Sequence, residues 1–321
     1  MKRVWLGAMA LVAAASLAGA QQVKVDPSIP AYQKTSGVSG NVNSVGSDTM
    51  NNLMTLWAEA FLKMYPNVKV QVEGKGSSTA PPALIAGTSQ FGPMSRAMRA
   101  TEVDQFESKY GYKPTQLRTS YDALAVYVNK DNPLEKLTMA QVDAIFSKSR
   151  RRGFKQNVTT WGQLGLTGDW ANRPISLYGR NSASGTYGFF KEHALGNGDY
   201  KDQVKEQPGS ASVVQGVTED RFGIGYSGIG YKTSGVKVVA LAEKEGGAFS
   251  DGNYEDVKTN KYPLNRFLFL YINRAPGKAL DPVVKEFCKL IFSKEGQEVV
   301  LKDGYLPLPA DIVKQELAKI E

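Results

Sequence analysis

Apolar residues recur along this chain with two spacings that take turns, every second residue as in a strand and every third or fourth residue as in a helix. The segments 41–45 and 68–72 read as short strands, and Val68, Val70 and Val72 lie on one side of the second. Between these strands, five apolar residues fall on one face of a helix: Met50, Leu53, Met54, Trp57 and Phe61. Pro66 stops that helix before the next strand begins. The pattern therefore predicts a strand, a helix and a second strand.

The same alternation continues to the end of the chain. Helical spacing recurs at 80–87, 101–109, 138–147, 186–194, 211–219, 280–302 and 309–320. The helix at 138 opens with Thr138 followed by Gln141, a capping-box pattern. Strand-like runs lie between the helices at 124–128, 174–178, 223–227, 236–241 and 266–272. Repeated strand–helix alternation predicts an α/β fold with mostly parallel sheets flanked by helices.

Two longer apolar runs suggest how the chain divides. We interpret 121–129 and 262–273 as long strands that cross between two lobes. Residues 38–123 plus 263–321 then form lobe 1, which is discontinuous, and residues 124–262 form lobe 2. Two sequential domains with a boundary near residue 130 are the alternative, and the sequence does not decide between them.

The first 20 residues have the pattern of a secretory signal. Lys2 and Arg3 precede an apolar run, and the small residues 18–20 follow it, so we expect cleavage after Ala20. The next residue is Gln21 rather than cysteine, which argues against a lipid anchor. No other run approaches the roughly 20 apolar residues of a membrane span. We therefore predict an exported protein, with residues 21–37 as a polar, loosely held N-terminal arm.

Charge and rare residues narrow the function. The formal net charge of +8 falls to +6 when Lys2 and Arg3 leave with the signal, which suits an anionic ligand and also general solubility. Cys288 stands alone and is predicted to be a buried packing residue. His193 is the only histidine, so the usual base of a serine or cysteine hydrolase and a histidine zinc cluster are both missing. We predict no enzyme activity, no metal and no cofactor.

Three turns rich in Gly, Ser and Thr lie at strand-to-helix junctions, at 46–49, 76–79 and 178–186. A helix N-terminus leaves backbone N–H groups unpaired and carries partial positive charge, so three such ends could converge on one oxyanion. The candidate ligands in these turns are Ser47, Asp48, Thr49, Ser77, Ser78, Arg180, Ser184, Gly185 and Thr186. The alternative for the hydroxyl residues is simple helix capping.

Taken with Phe91–Arg96, these turns resemble in order and approximate spacing the phosphate-binding component of bacterial high-affinity phosphate ABC importers. The likeness implies a type II periplasmic binding protein fold, whose two lobes close over one dehydrated phosphate in the periplasm. It also maps the family's guanidinium, serine hydroxyl and backbone N–H groups onto Arg180, Ser184 and Gly185–Thr186. Ser77 matches its second-turn serine, and Thr49 lies in its first-turn group.

One position departs from the family pattern. Ser95, followed by Arg96, stands where the family often has an aspartate that accepts a hydrogen bond from protonated phosphate. Asp48 is then the nearest candidate acceptor, and otherwise it is a plain N-cap. A carboxylate acceptor favours phosphate, which keeps an O–H near neutral pH, over sulphate. Arg96 is a second charge on the anion, a clamp for a site carboxylate, or an exposed residue at a helix start.

The partners expected from this resemblance are inorganic phosphate and the permease of an ABC transporter, with no nucleic acid. A ligand carried to a permease by a closing two-lobe protein suggests a monomer. Two alternatives stay open: a binding protein for another oxyanion such as sulphate or molybdate, and a secreted phosphoester hydrolase with a serine or threonine nucleophile.

Overall fold

The computed structural model describes residues 23–321, so the predicted signal and its cleavage site lie outside the described residues. The strands are β1 Gly40–Val45, β2 Val68–Glu73, β3 Gly92–Met94, β4 Thr115–Asn129, β5 Lys136–Thr138, β6 Ser176–Arg180, β7 Lys205–Gln207, β8 Gly223–Gly228, β9 Val236–Val238, β10 Ala240–Ala242 and β11 Asn265–Ile272. The helices are α1 Asn51–Met64, α2 Ala80–Ala86, α3 Ala100–Tyr110, α4 Met139–Phe146, α5 Gly185–His193, α6 Ser210–Glu219, α7 Tyr254–Lys258, α8 Pro282–Ile291, α9 Lys294–Lys302 and α10 Ala310–Ala318.

Strand pairing separates into two kinds. The pairs β1–β2, β6–β7, β6–β8 and β5–β10 are parallel, as strands joined through helices require. The antiparallel pairs all involve β4 or β11. The largest sheet has the order β3-β11-β4-β8-β6-β7, with β9 also paired to β4.

Strand β4 connects the two halves of this large sheet. Its first part pairs with β11, from Thr115 opposite Ile272 to Ala123 opposite Asn265. Its second part, from Leu124 to Val128, pairs with β8. The predicted run at 121–129 is therefore part of one continuous strand, which pairs first with β11 and then with β8. The run at 262–273 is a strand only from Asn265 onward, and it pairs with β3 and β4.

The predicted helix at 280–302 is two helices. Helix α8 ends before Phe292, and the hydroxyl oxygen of Ser293 accepts a hydrogen bond from the Gly296 backbone nitrogen to cap α9. A Cβ at position 296 would lie 1.9 Å from the Leu290 carbonyl oxygen, so α9 packs directly on the end of α8. The break permits this close turn, which a continuous helix would not. The predicted strand at 236–241 is likewise divided, into β9 and β10.

The described part of the N-terminal arm is packed, not loosely held. Ile29 is 2 % exposed, and the backbone nitrogen of Lys294 donates to the Pro30 carbonyl. The Tyr32 hydroxyl donates to Glu286 at 2.7 Å. The polar composition of this arm gave no sign of these contacts, because they join it to residues more than 200 positions away.

The first core lies between α1, α8 and α9. The Phe61 and Phe287 rings meet edge to face at 5.1 Å, and the Trp57 indole donates to the Gly296 carbonyl. Cys288 is fully buried there, which confirms its predicted packing role, and burial raises the pKa of its thiol. Within residues 23–321, every helix is too short or too polar to cross a bilayer.

Candidate functional site

The structure brings the three predicted turns together around a cluster of buried hydroxyl groups. Thr49 Oγ1 lies 2.8 Å from Thr186 Oγ1, which in turn lies 3.4 Å from Ser95 Oγ. Ser95 Oγ lies 3.2 Å from Ser77 Oγ. All four side chains are at most 1 % exposed. Residues separated by more than 130 positions thus share one buried, polar site.

The first turn of α5 approaches the second turn very closely. A Cβ at Gly185 would lie 2.3 Å from Ser77 Oγ and 2.7 Å from Ser95 Oγ, so any larger residue there would force these serines to move. The Ser184 hydroxyl oxygen accepts from the backbone nitrogens of Thr186 and Tyr187, which makes Ser184 the N-cap of α5. The helix-capping alternative is therefore present at Ser184.

The second turn depends on a left-handed glycine. Gly76 has φ of 115°, and a Cβ there would lie 2.6 Å from the Ala183 carbonyl oxygen. The Ser78 backbone nitrogen donates to that same carbonyl at 3.2 Å. The segments predicted to belong to different lobes are therefore in direct contact in this structure.

Arg180 ends β6 and carries a positive charge in a nearly closed environment, 1 % exposed. Its Nη1 donates to Ser210 Oγ at 2.7 Å, and its Nη2 donates to the Pro208 carbonyl at 3.1 Å. Burial lowers the pKa of Arg180, while the nearby Asp48 carboxylate opposes that shift. Its buried Nε has no hydrogen-bond partner within residues 23–321. A buried N–H donor is costly unless an acceptor satisfies it.

Asp48 is not the N-cap of its own turn. Its Oδ2 lies 3.2 Å from Arg180 Nη2 and accepts from the Ser210 backbone nitrogen at 2.8 Å. The plain-cap interpretation is therefore wrong, because the carboxylate reaches across to α6 and β6. The neighbouring Ser47 is 1 % exposed, and its hydroxyl has no partner among the described residues.

Arg96 clamps the carboxylate of Glu102, which is not one of the predicted site residues. Its two terminal nitrogens donate to the two carboxylate oxygens of Glu102, each at 2.7 Å. The side chain is 8 % exposed, so the interpretation as an exposed arginine is wrong. Burial raises the pKa of Glu102, but hydrogen bonds from Arg96 and from the Arg99 backbone outweigh it and leave the pKa lowered. Arg96 Nη2 also lies 3.4 Å from Ser78 Oγ, which ties it to the second turn.

A buried ion pair that the sequence patterns did not indicate lies beside the hydroxyl cluster. Arg266 on β11 and Asp122 on β4 lie opposite each other in register and are 5 % and 0 % exposed. Arg266 Nη2 donates to Asp122 Oδ2 at 2.6 Å and to Thr186 Oγ1 at 3.0 Å. The available signal was a single charged residue inside each predicted crossing strand, because a charge in a buried strand needs a partner.

Ser210, at the start of α6, was missed as well, since the helix predicted from residue 211 carried no turn motif like the other three. Its backbone nitrogen donates to the Asp48 carboxylate, and its hydroxyl oxygen accepts from Arg180. It adds a fourth helix N-terminus to the same region.

Comparison with known proteins shows which family the chain belongs to. The family model described as "PBP superfamily domain" matches residues 31–295. The chain belongs to this family. The phosphate-binding protein PstS of Pseudomonas aeruginosa is 57 % identical over 320 residues, covering 100 % of this chain and 99 % of the relative. Protein SphX of Synechococcus elongatus is 28 % identical and covers 87 % and 80 %.

Two solved structures share the architecture. An ABC-type phosphate transport receptor from Vibrio cholerae superposes with a TM-score of 0.64 at 22 % identity, covering 83 % of this chain and 100 % of that one. A phosphate-binding protein from Stenotrophomonas maltophilia gives 0.62 at 14 % identity, covering 87 % and 94 %. The predicted two-lobe α/β fold and the family resemblance are both confirmed.

Proposed function

We propose that the protein captures inorganic phosphate between two closing lobes and delivers it to an ABC permease for import. The observation that carries the proposal is Arg180, a nearly inaccessible guanidinium whose Nε has no acceptor among residues 23–321, beside turns that supply hydroxyl and backbone donors. An oxyanion satisfies all these groups at once, because it offers several acceptor oxygens and negative charge. The name of the 57 % identical relative gives the anion as phosphate.

The proposed phosphate contacts come from both sides of the site. Lobe 2 would contribute Arg180 and the first turn of α5, which comprises Ser184, Gly185 and Thr186. Lobe 1 would contribute the hydroxyl and backbone donors of Ser47, Thr49, Ser77, Ser78 and Ser95. Each charge-assisted hydrogen bond contributes roughly 1.5 to 3 kcal/mol before the costs of desolvation and lobe ordering. A handful of such contacts is sufficient for micromolar binding, which needs about 8 kcal/mol.

Asp48 and Arg96 have supporting parts in this proposal. Asp48 balances and orients Arg180 through its Oδ2. In the proposal, its other oxygen, Oδ1, accepts the hydrogen bond from a phosphate O–H. Arg96 acts through Glu102 and Ser78 to hold the second turn, and it does not serve as a second charge on the anion.

The proposed lobes are residues 38–123 plus 263–321 and residues 124–262. Closure about β4 and β11 would bury the anion and signal to the permease that a ligand is bound. We further propose that the mature protein begins at Gln21, lacks a lipid anchor, acts as a periplasmic monomer and performs no catalysis.

Calorimetric titration of the ligand-stripped mature protein at pH 7 tests the function. We expect one phosphate per chain, with the same affinity when sulphate is present in excess. Competition by sulphate or molybdate would reassign the ligand, and turnover of a generic phosphoester would favour the hydrolase alternative. Absence of heat with every anion would overturn the binding proposal.

A further inference from the structure

Arg266 occupies a position between the two sides of the site and lies on β11, one of the two strands about which we propose that the lobes close. Its Nε and Nη2 both donate to Asp122 Oδ2, at 2.8 and 2.6 Å. The other oxygen of Asp122 accepts from the Ile229 backbone nitrogen at 3.1 Å, just beyond β8. The Asp122 carboxylate therefore holds the Arg266 guanidinium in one orientation and links it to the backbone just beyond β8.

The remaining donors of Arg266 point to opposite sides of the site. Nη1 donates to the Ser95 carbonyl at 2.8 Å, and Nη2 donates to Thr186 Oγ1 at 3.0 Å. Ser95 follows β3, and Thr186 lies in the first turn of α5. One rigid, planar side chain thus links segments assigned to lobe 1 and to lobe 2. The Phe189 ring, 5.2 Å from its Cζ, covers it from one side.

This contact also sets the direction of the hydroxyl network. Arginine has donors and no acceptor, so Thr186 Oγ1 must accept from it. The Thr186 hydroxyl proton then points at a different acceptor. The acceptors within reach are Thr49 Oγ1 at 2.8 Å, Ser95 Oγ at 3.4 Å and a bound anion. Without Arg266, the Thr186 hydroxyl would lose this fixed polarity.

We propose that Arg266 is a positioning residue for anion capture, which acts through Thr186 and couples closure of the two lobes to the order of the hydroxyl cluster. This inference rests on the proposed function. It assigns to Arg266 no contact with the anion itself, so its effect on binding depends on the Thr186 oxygen.

The test is a double-mutant cycle measured by calorimetry with inorganic phosphate. Arg266→Lys keeps the charge beside Asp122 but cannot reach Asp122, Ser95 and Thr186 together. We expect it to weaken phosphate binding by about 10- to 100-fold, the range for losing one hydrogen bond to a charged group. In a Thr186→Val background, the same change should weaken binding by less than about twofold, because the coupled oxygen is already gone. In a Thr186→Ser background, the full effect should return.

Arg118→Lys is the matched control. Arg118 also forms an ion pair from the β4–β11 region, with Glu316, and its Cζ lies 5.3 Å from the Phe267 ring, but it makes no contact with the hydroxyl cluster. Its variant should lower the melting temperature without changing phosphate affinity. An affinity within twofold of wild type for Arg266→Lys would overturn the inference, as would an equal loss in the Thr186→Val background. A wild-type protein that binds no phosphate would instead remove the proposed function, and the inference with it.

Discussion

The Asp48 carboxylate lies 3.2 Å from a terminal nitrogen of Arg180 and joins the turn after β1 to the end of β6. The same carboxylate accepts from the Ser210 backbone nitrogen, and the Ser210 hydroxyl accepts from Arg180. These three residues form a closed set of contacts that fixes the guanidinium. An anion would therefore meet a cation that is already oriented, with little left to order on binding.

Arg180→Ala should weaken phosphate binding by roughly 3 to 5 kcal/mol, because it leaves the enclosed anion without its buried cation. Calorimetry gives the change in affinity directly. Arg173→Ala is the control, since Arg173 is exposed and rests on the Phe222 ring. An Arg180→Ala protein with near-normal affinity would show that the anion site lies elsewhere.

Gly185→Ala should block the close approach of α5 to the second turn. The new Cβ would meet Ser77 Oγ at 2.3 Å, and overpacking of this kind costs typically 1 to 3 kcal/mol. We expect phosphate affinity to fall by about tenfold or more, by the usual 1.4 kcal/mol per decade. Gly188→Ala, one turn later in the same helix, has its nearest contact at 3.6 Å and should bind normally. Equal affinities for the two variants would contradict the close packing of the site.

Asp48→Asn should change selectivity between anions. A carboxylate beside Arg180 repels a fully deprotonated anion and can accept the O–H of a protonated one. We expect the preference for phosphate over sulphate to fall by about tenfold, which corresponds to about 1.4 kcal/mol. Competition calorimetry with both anions measures this ratio. If the ratio stays constant, selectivity is set by another group.

The raised pKa of Asp303 leads us to expect that its contribution to the free energy of unfolding depends on pH. Burial raises the pKa of its carboxyl to about 6, and the hydrogen bond from Asn52 only partly opposes the shift. The folded state then binds more protons than the unfolded state between pH 3.8 and about 6, so stability falls as pH rises through that window. Asparagine has no proton to lose. Asp303→Asn should therefore raise the melting temperature by a few degrees at pH 8 and leave it unchanged below pH 4.

Thermal melts at the two pH values check this expectation, with Asp104→Asn as an exposed control that should be flat at both. A gain of equal size at pH 4 and pH 8 would mean that Asp303 acts through packing rather than through its charge.

Local patterns in the sequence were sufficient to predict many of the helices and strands. Of the five apolar residues predicted on one helix face, Leu53, Met54, Trp57 and Phe61 are buried in α1 and Met50 is buried just before it, because a 3.6-residue period has one orientation that hides them. Thr138 and Gln141 form the predicted capping box at α4. The break between α8 and α9 was not predictable, since it depends on Gly296 packing against the Leu290 carbonyl and interrupts no apolar period.

The sequence by itself determined the alternation of strands and helices, the three turns with their hydroxyl residues, and Arg180 as the charge among them, because each depends on residues close together in the chain. Only the tertiary structure decided which carboxylate each arginine meets. Asp48 with Arg180 and Asp122 with Arg266 are separated by more than 130 positions, and strand register and lobe contact bring them together. Buried charges must find partners, but the sequence does not say which.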